Sequence, residues 1–383
     1  LFRSGPIVGF SHTHFSGTGH SDLGDFLVMP MIGPLQMEPG AKGDPKSGFR
    51  SAFSHANETA EAGYYKVKLD DDNILAEMTA STRVGMHQYT FPNASPDAHI
   101  ILDMMHGIYN YEDKNVWTFA RVENDHTIVG YRQTNGWART RTVYFAMEFS
   151  KPFKSYGFRE FGKQDYKGFW RKFDQTKNFP EMAGKQIRAH FDFDTKGNEK
   201  IQVKFAISPV STDGARANLK AEIPHWDFER VKAEAQAAWN KELSKIQITA
   251  NSEGEMTNFY TALYHAMLSP TVYMDADGRY KGLDQNIHSA QSPGRGRQPA
   301  KAGTPNFTNY TTFSLWDTYR ALHPLLNILQ LARNRDMIHA MQAHYDQSVH
   351  KMLPVWSHYA NENWCMIGYH SVSVIADAIV SGN

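Results

Sequence analysis

One carboxylate, Glu362, stands in residues 353–370, LPVWSHYANENWCMIGYH, among Trp356, His358, Tyr359, Asn361, Asn363, Trp364 and Cys365. Rings and amides at that density make surroundings poor in water and rich in hydrogen-bond donors. Desolvation disfavours the charged form of a carboxyl group, and an acid still protonated near neutrality can serve as a general acid. A plainer reading makes Glu362 a helix N-terminal acid, steadied by the dipole of the segment that follows.

Other groups invite chemistry too. His12, His14 and His20 with Asp22 and Asp25 combine imidazoles and carboxylates, which are ordinary metal ligands. Trp316, Asp317 and Arg320 fall within one helical turn, with Asp317 and Arg320 at the i, i+3 spacing of an ion pair. They could form a buried pair under an aromatic ring or line a cleft, and Trp316 and Asp317 are expected to face the cleft. Asp275, Asp277 and Gly278 imitate the start of an EF-hand loop, but Arg279 takes a ligand position and no Glu stands at the twelfth place. A turn is expected there.

These residues need a large scaffold. A chain of 383 residues exceeds one ordinary core and predicts about two domains. Lys plus Arg and Asp plus Glu number 40 each, so no net charge recruits nucleic acid or an anionic membrane. The 13% aromatic content suits a protein that stacks rings on the apolar faces of sugars, although large cores use aromatics as well. A single cysteine, Cys365, excludes an internal disulfide framework and a thiolate zinc cluster. No run of 18 apolar residues predicts a membrane span.

From Asp25 to about Ser208 the apolar pattern has period two, as in Val143, Phe145, Met147 and Phe149, or Ile201, Val203, Phe205 and Ile207. Turn residues such as Asp71, Asp72 and Asn73, or Lys196, Gly197 and Asn198, punctuate it. Many strands so spaced predict an antiparallel β-sandwich. At Pro224 the period changes: Asp227 can cap a helix over 228–246, a second stripe runs over 256–267, and further helices are expected at 314–333 with a break at Pro324, at 336–351 and at 371–380. The expected division is a sandwich over 1–223, a linker helix over 224–250 and a helical domain over 251–383, with a loop over 289–304.

Residues 9–30, GFSHTHFSGTGHSDLGDFLVMP, residues 277–288, DGRYKGLDQNIH, residues 306–326, NFTNYTTFSLWDTYRALHPLL, and the stretch from Leu353 to Ala378 carry, in order, a resemblance to glycoside hydrolase family 92, the bacterial calcium-dependent exo-acting α-mannosidases. The resemblance implies a β + α multidomain fold, an N-terminal β-sandwich followed by the first part of an (α/α)6 barrel. It implies an internal fragment of a longer, periplasmic or extracellular enzyme, acting on a mannose-containing glycan. Glu362 would be the general acid of an inverting mechanism, whose second carboxylate lies about 6.5–9.5 Å away. The family's base belongs to a later motif that this sequence lacks, and without it the chain alone is expected to be inactive. If it does turn over, the second carboxylate must be sought among Asp22, Asp25, Asp284 and Asp317.

The same resemblance makes the loop of Gly17, Thr18, Gly19 and His20, with Asp22, part of the pocket for the terminal mannose, where glycine permits close backbone approach; this reading displaces a zinc cluster. It adds Trp316, Asp317, Arg320, Trp356 and His370 as sugar-binding residues. The implied Ca2+ suits a hard cation on sugar hydroxyls. Asn361 and Asn363 are candidate ligands by proximity alone. Family members usually read Gly-Asn-Glu-Thr where this chain has Ala360, Asn361, Glu362 and Asn363, which keeps the acid and alters its neighbours. Two other readings are a glycan-binding sandwich without turnover and another (α/α)6 enzyme, such as a polysaccharide lyase or a sugar phosphorylase.

Overall fold

The computed structural model describes residues 5–15, 21–41, 43–162, 176–290 and 306–382. Two antiparallel sheets face each other in the first part. The smaller takes its strands in the order Leu27–Ile32, Ser95–Asp103, Ile187–Thr195 and Ser155–Glu160. The larger has nine among the described residues, with Arg141–Phe149, Glu199–Ser208, Val84–Phe91 and Ile74–Ala80 adjacent at its centre. Between the sheets lies one core rich in aromatic rings, including Phe26, Phe145, Phe149, Phe191, Phe193 and Phe205. This is the sandwich that the period-two pattern predicts.

The other face of the large sheet is covered, which the alternation conceals. Helix α1, Thr212–Glu222, is missing from the sequence reading and begins at Ser211, whose Oγ accepts the Gly214 N–H at 2.9 Å. With α2, Phe228–Leu243, it lays Ala215, Leu219, Ile223, Phe228 and Val231 on Val84, Met86, Val129, Ala146 and Ala206. Lys204, on the face read as polar, is consequently buried. Its Nζ pairs with Glu148 at 3.1 Å and lies 4.1 Å from the Trp226 ring centre.

The helical part holds α3, Glu253–Ala266; α4, Leu315–Thr318; α5, Leu322–Leu329; α6, Leu331–Gln347; and α7, His370–Val380. Phe313, Leu315 and Leu326 pack with Met337, Met341, Val374 and Ala378 into a separate core. The break expected at Pro324 falls instead between α4 and α5 and again at Gln330. Pro324 sits in the first turn of α5, where its missing N–H leaves no helical bond unmade. Among the described residues no helix is long and apolar enough to cross a membrane.

Sandwich and helical part are joined through buried polar groups. Asp275 accepts from Ser208 Oγ at 2.7 Å and Asn218 Nδ2 at 2.8 Å, while Arg83 binds Glu222 at 2.6 Å and the Met274 carbonyl at 2.5 Å. The imitation EF-hand is thus a turn, closed by Gly278 N–H on the Asp275 carbonyl, and its first aspartate is buried between domains.

Candidate active site

Glu362 lies on a hairpin. The strand Trp356–His358 pairs antiparallel with Asn361–Glu362 on one side and Phe313–Ser314 on the other. The two residues between, Tyr359 and Ala360, both have positive φ, 47° and 59°. Such a two-residue turn favours Asn-Gly, and a side chain in left-handed backbone costs on the order of 1 kcal/mol or more. Tertiary contacts hold it closed: the Tyr359 N–H donates to Thr311 Oγ1 at 2.7 Å, Gln285 Nε2 donates to the Ala360 carbonyl at 2.8 Å, and the Arg141 guanidinium lies 4.6 Å from the Tyr359 ring centre.

The helix-terminal reading of Glu362 is corrected by this geometry, since α7 begins only at His370. Its carboxylate is instead buried against main chain. Oε1 accepts the N–H groups of Trp356, Asn363 and Trp364 at 2.8, 2.9 and 3.0 Å, and Oε2 accepts that of Val355 at 3.0 Å. His344 Nε2 stands 3.4 Å from Oε2. Burial pushes the His344 imidazole down to about 3, so this neighbour is a neutral polar group and not a counter-ion.

Sandwich residues reach the hairpin. The buried Trp356 ring meets Phe15 edge-on at 6.3 Å and Trp137 at 4.9 Å. Asp22 accepts the Trp137 and Ala138 N–H groups at 3.3 and 2.9 Å, and lies 3.7 Å from His358 Nε2. The structure thus sets Asp22 against His358, on the strand that carries Trp356 beside Glu362. Gly17, Thr18, Gly19 and His20 lie outside the described residues.

Other expected partners separate. Asp317 takes the Ser314 hydroxyl, and Arg320 donates from Nε to Tyr319 Oη at 2.7 Å, so the expected Asp317–Arg320 ion pair does not form. The cause is local: α4 ends at Thr318, and the helical spacing breaks before Arg320. Trp316 and Asp317 are exposed. Tyr319, which the sequence reading passed over, stacks on His370 at 3.9 Å and links Arg320 to it. His370 Nε2 is buried with no hydrogen-bond partner among the described residues.

Asp25 is held between Arg132 Nη1 at 3.0 Å, Arg141 and Thr13 Oγ1 at 2.6 Å. Burial alone would raise its carboxyl, but the two guanidinium groups and the hydroxyl hold it well below the usual carboxylate range. Asp284 pairs with His288 at 2.9 Å. Both carboxylates are engaged by these partners. The N-terminal histidines are used internally: His12 Nδ1 donates to the Phe26 carbonyl at 2.6 Å, its Nε2 meets His87 at 3.0 Å, and His14 bonds the Ser11 carbonyl at 2.6 Å. Desolvation by burial drives the His12 imidazole down, with the His87 ring adding to it. A cavity of about 960 Å³ opens beside this pair, lined by Arg50, Tyr65, Arg83 and Tyr264; Glu362 is not in its lining.

Calcium takes six to eight oxygens. Asn361 and Asn363 each donate their amide N–H to the main chain, at 2.8 and 3.1 Å, leaving one carbonyl oxygen apiece. Both Glu362 oxygens are engaged with N–H groups. The described residues around the hairpin do not form a calcium cage by themselves.

A family model described as the glycosyl hydrolase family 92 N-terminal domain matches residues 2–208, and one described as the family's catalytic domain matches residues 214–383. The chain belongs to glycoside hydrolase family 92. Among solved structures it is similar to a family GH92 α-mannosidase from Bacteroides thetaiotaomicron in complex with mannoimidazole, at 45% identity and TM-score 0.87, covering 100% of this chain and 47% of that one. A family GH92 inverting mannosidase from the same species shares the fold at 24% identity and TM-score 0.75, covering 93% of this chain and 43% of that one. A curated relative, called an uncharacterized secreted glycosidase of Arthroderma benhamiae, is 25% identical over 296 residues, which are 70% of this chain and 36% of its own length. The chain thus spans about half the length of these family members or less.

Proposed function

We propose that this chain supplies the proton-donating side of an exo-acting α-mannosidase, with Glu362 as general acid. The observation that carries the reading is the burial of Glu362 on a hairpin clamped by sandwich residues, in a family whose similar member was solved with mannoimidazole. Oε1 already receives three N–H groups, so the transferable proton belongs on Oε2. It passes to the glycosidic oxygen as the bond from that oxygen to C1 breaks, and water adds to C1 from the opposite face with inversion. The proton of that water goes to a base, which we assign to the part of the family fold this chain does not span. Asp22, Trp356, the half-exposed Trp364 and the buried Nε2 of His370 are the sugar contacts in this reading, and the family resemblance gives Gly17, Thr18, Gly19 and His20 the same role. Trp316, Asp317 and Arg320 are assigned to outer parts of the substrate. The family's calcium belongs to the reading as a requirement of the whole enzyme, and no step here passes through it. The name of the Arthroderma relative supports export, to the periplasm or the medium.

A second reading, glycan binding without turnover, is favoured by one observation: both Glu362 oxygens are occupied by main-chain donors. Following the anomeric protons of released sugar by NMR decides between them. The full-length parent should release mannose from α-mannosides with the β-anomer appearing first, as inversion requires, and leave β-glucans untouched. Binding of mannosides by the parent without any release would support the second reading.

A further inference from the structure

A second cluster lies on the outer face of the four-stranded sheet, away from Glu362. His99 and Asp192 are direct cross-strand partners, His190 stands two residues before Asp192, and Ser155 faces Asp192 from the next strand. Phe191 and Phe193, on the opposite face, point into the sandwich core, so the pleat turns the three polar side chains outward together. His99 Nδ1 and His190 Nδ1 approach the same oxygen, Asp192 Oδ1, at 2.6 and 2.9 Å, and all three ligand atoms lie within 4.8 Å of one another. His99 and Asp192 are buried, at 8 and 9% exposure.

We propose that His99, His190 and Asp192 bind one divalent cation of the zinc class. Two groups already orient the ligands. His99 Nε2 donates to the Gly33 carbonyl at 3.0 Å, which directs Nδ1 at the centre, and Ser155 Oγ donates to Asp192 Oδ2 at 2.6 Å, leaving Oδ1 for the ion. Such outer partners are the usual support of metal-binding imidazoles and carboxylates. A cation held by both Nδ1 atoms and Oδ1 would relieve the crowding of two ring nitrogens on one oxygen. Tetrahedral ligands at 2.0–2.1 Å lie roughly 3.3 Å apart, so the two contacts to Oδ1 need open by about half an ångström while the two imidazole nitrogens, within 4.8 Å of each other, settle at the same spacing. Two imidazoles and one carboxylate select zinc, cobalt or nickel, whereas calcium demands oxygens. The site is independent of the glycosidase reading, and its ion would pin strand 95–103 to strand 187–195.

The test uses the chain without a histidine tag, stripped by chelator and titrated with zinc, cobalt and calcium by calorimetry, with cobalt spectra recorded. One equivalent of zinc should bind, cobalt should give the visible bands of a four-coordinate site, and calcium should not compete. His190→Gln, a half-buried position expected to keep its circular dichroism, should lose the equivalent. Ser155→Ala should weaken binding roughly 10-fold or more. An adventitious ion only, seen as sub-stoichiometric zinc that His190→Gln retains, overturns the proposal. So does the absence of a cobalt spectrum in the unaltered chain, whatever the variants do.

Discussion

At Ala360 the chain places a methyl-bearing residue in left-handed backbone, in the turn two residues before Glu362. Glycine removes that cost and adds unfolded-state entropy, so Ala360→Gly should raise stability by up to about 1 kcal/mol in urea melts; a loss would show that the turn is not strained. Asp25 lies at the other extreme, because its removal strands two buried guanidinium groups. Asp25→Asn is expected to cost about 3–5 kcal/mol, and a shift below 1 kcal/mol would contradict the buried pairing. Glu362 was legible as the candidate acid from its neighbours in sequence. Its setting was not, since the residues that fix it, Arg141, Trp137, Thr311 and His344, are distant in the chain and carry no local signal.

Among the elements, the strands were legible wherever one face is apolar, as over 143–149 and 201–207. Helix α1 was missed because the change of period was placed at Pro224, although Ser211 followed by Thr212 and Asp213 is a helix start in its own right. The hairpin under Glu362 was missed because its strands are too short to show alternation. The joint between the parts makes a prediction of its own. Burial pushes the Asp275 carboxyl up to about 6, against the opposing donors Ser208 and Asn218. An unfolded aspartate titrates near 3.9. The folded form therefore holds a proton that the unfolded chain has released, and this contribution, present in full below about pH 4, is lost as pH rises through 6. It amounts to at most about 3 kcal/mol. Subtracting the urea midpoints of Asp275→Asn from those of the unaltered chain over pH 4–7 should expose the slope, and parallel curves would refute it.

For the whole molecule, the helical part leaves Ile328, Val349, Ile367 and Val380 largely exposed, at 76, 84, 81 and 87%. Apolar surface on that scale promotes association. Light scattering should show self-association that rises with concentration, whereas a monodisperse monomer would contradict it. Sequence resemblance reached the family and the order of its parts; it could not show that Asp25 and Asp284 are engaged by Arg132, Arg141 and His288, partners distant in the chain or carrying no local signal.

In the proposed reaction Glu362 donates the proton to the leaving oxygen. In the full-length parent, Glu362→Gln should lower turnover of natural mannosides by several orders of magnitude, yet only slightly that of substrates whose leaving group needs no proton. Equal losses on both substrates would contradict the account, for they would make Glu362 a residue that positions the sugar.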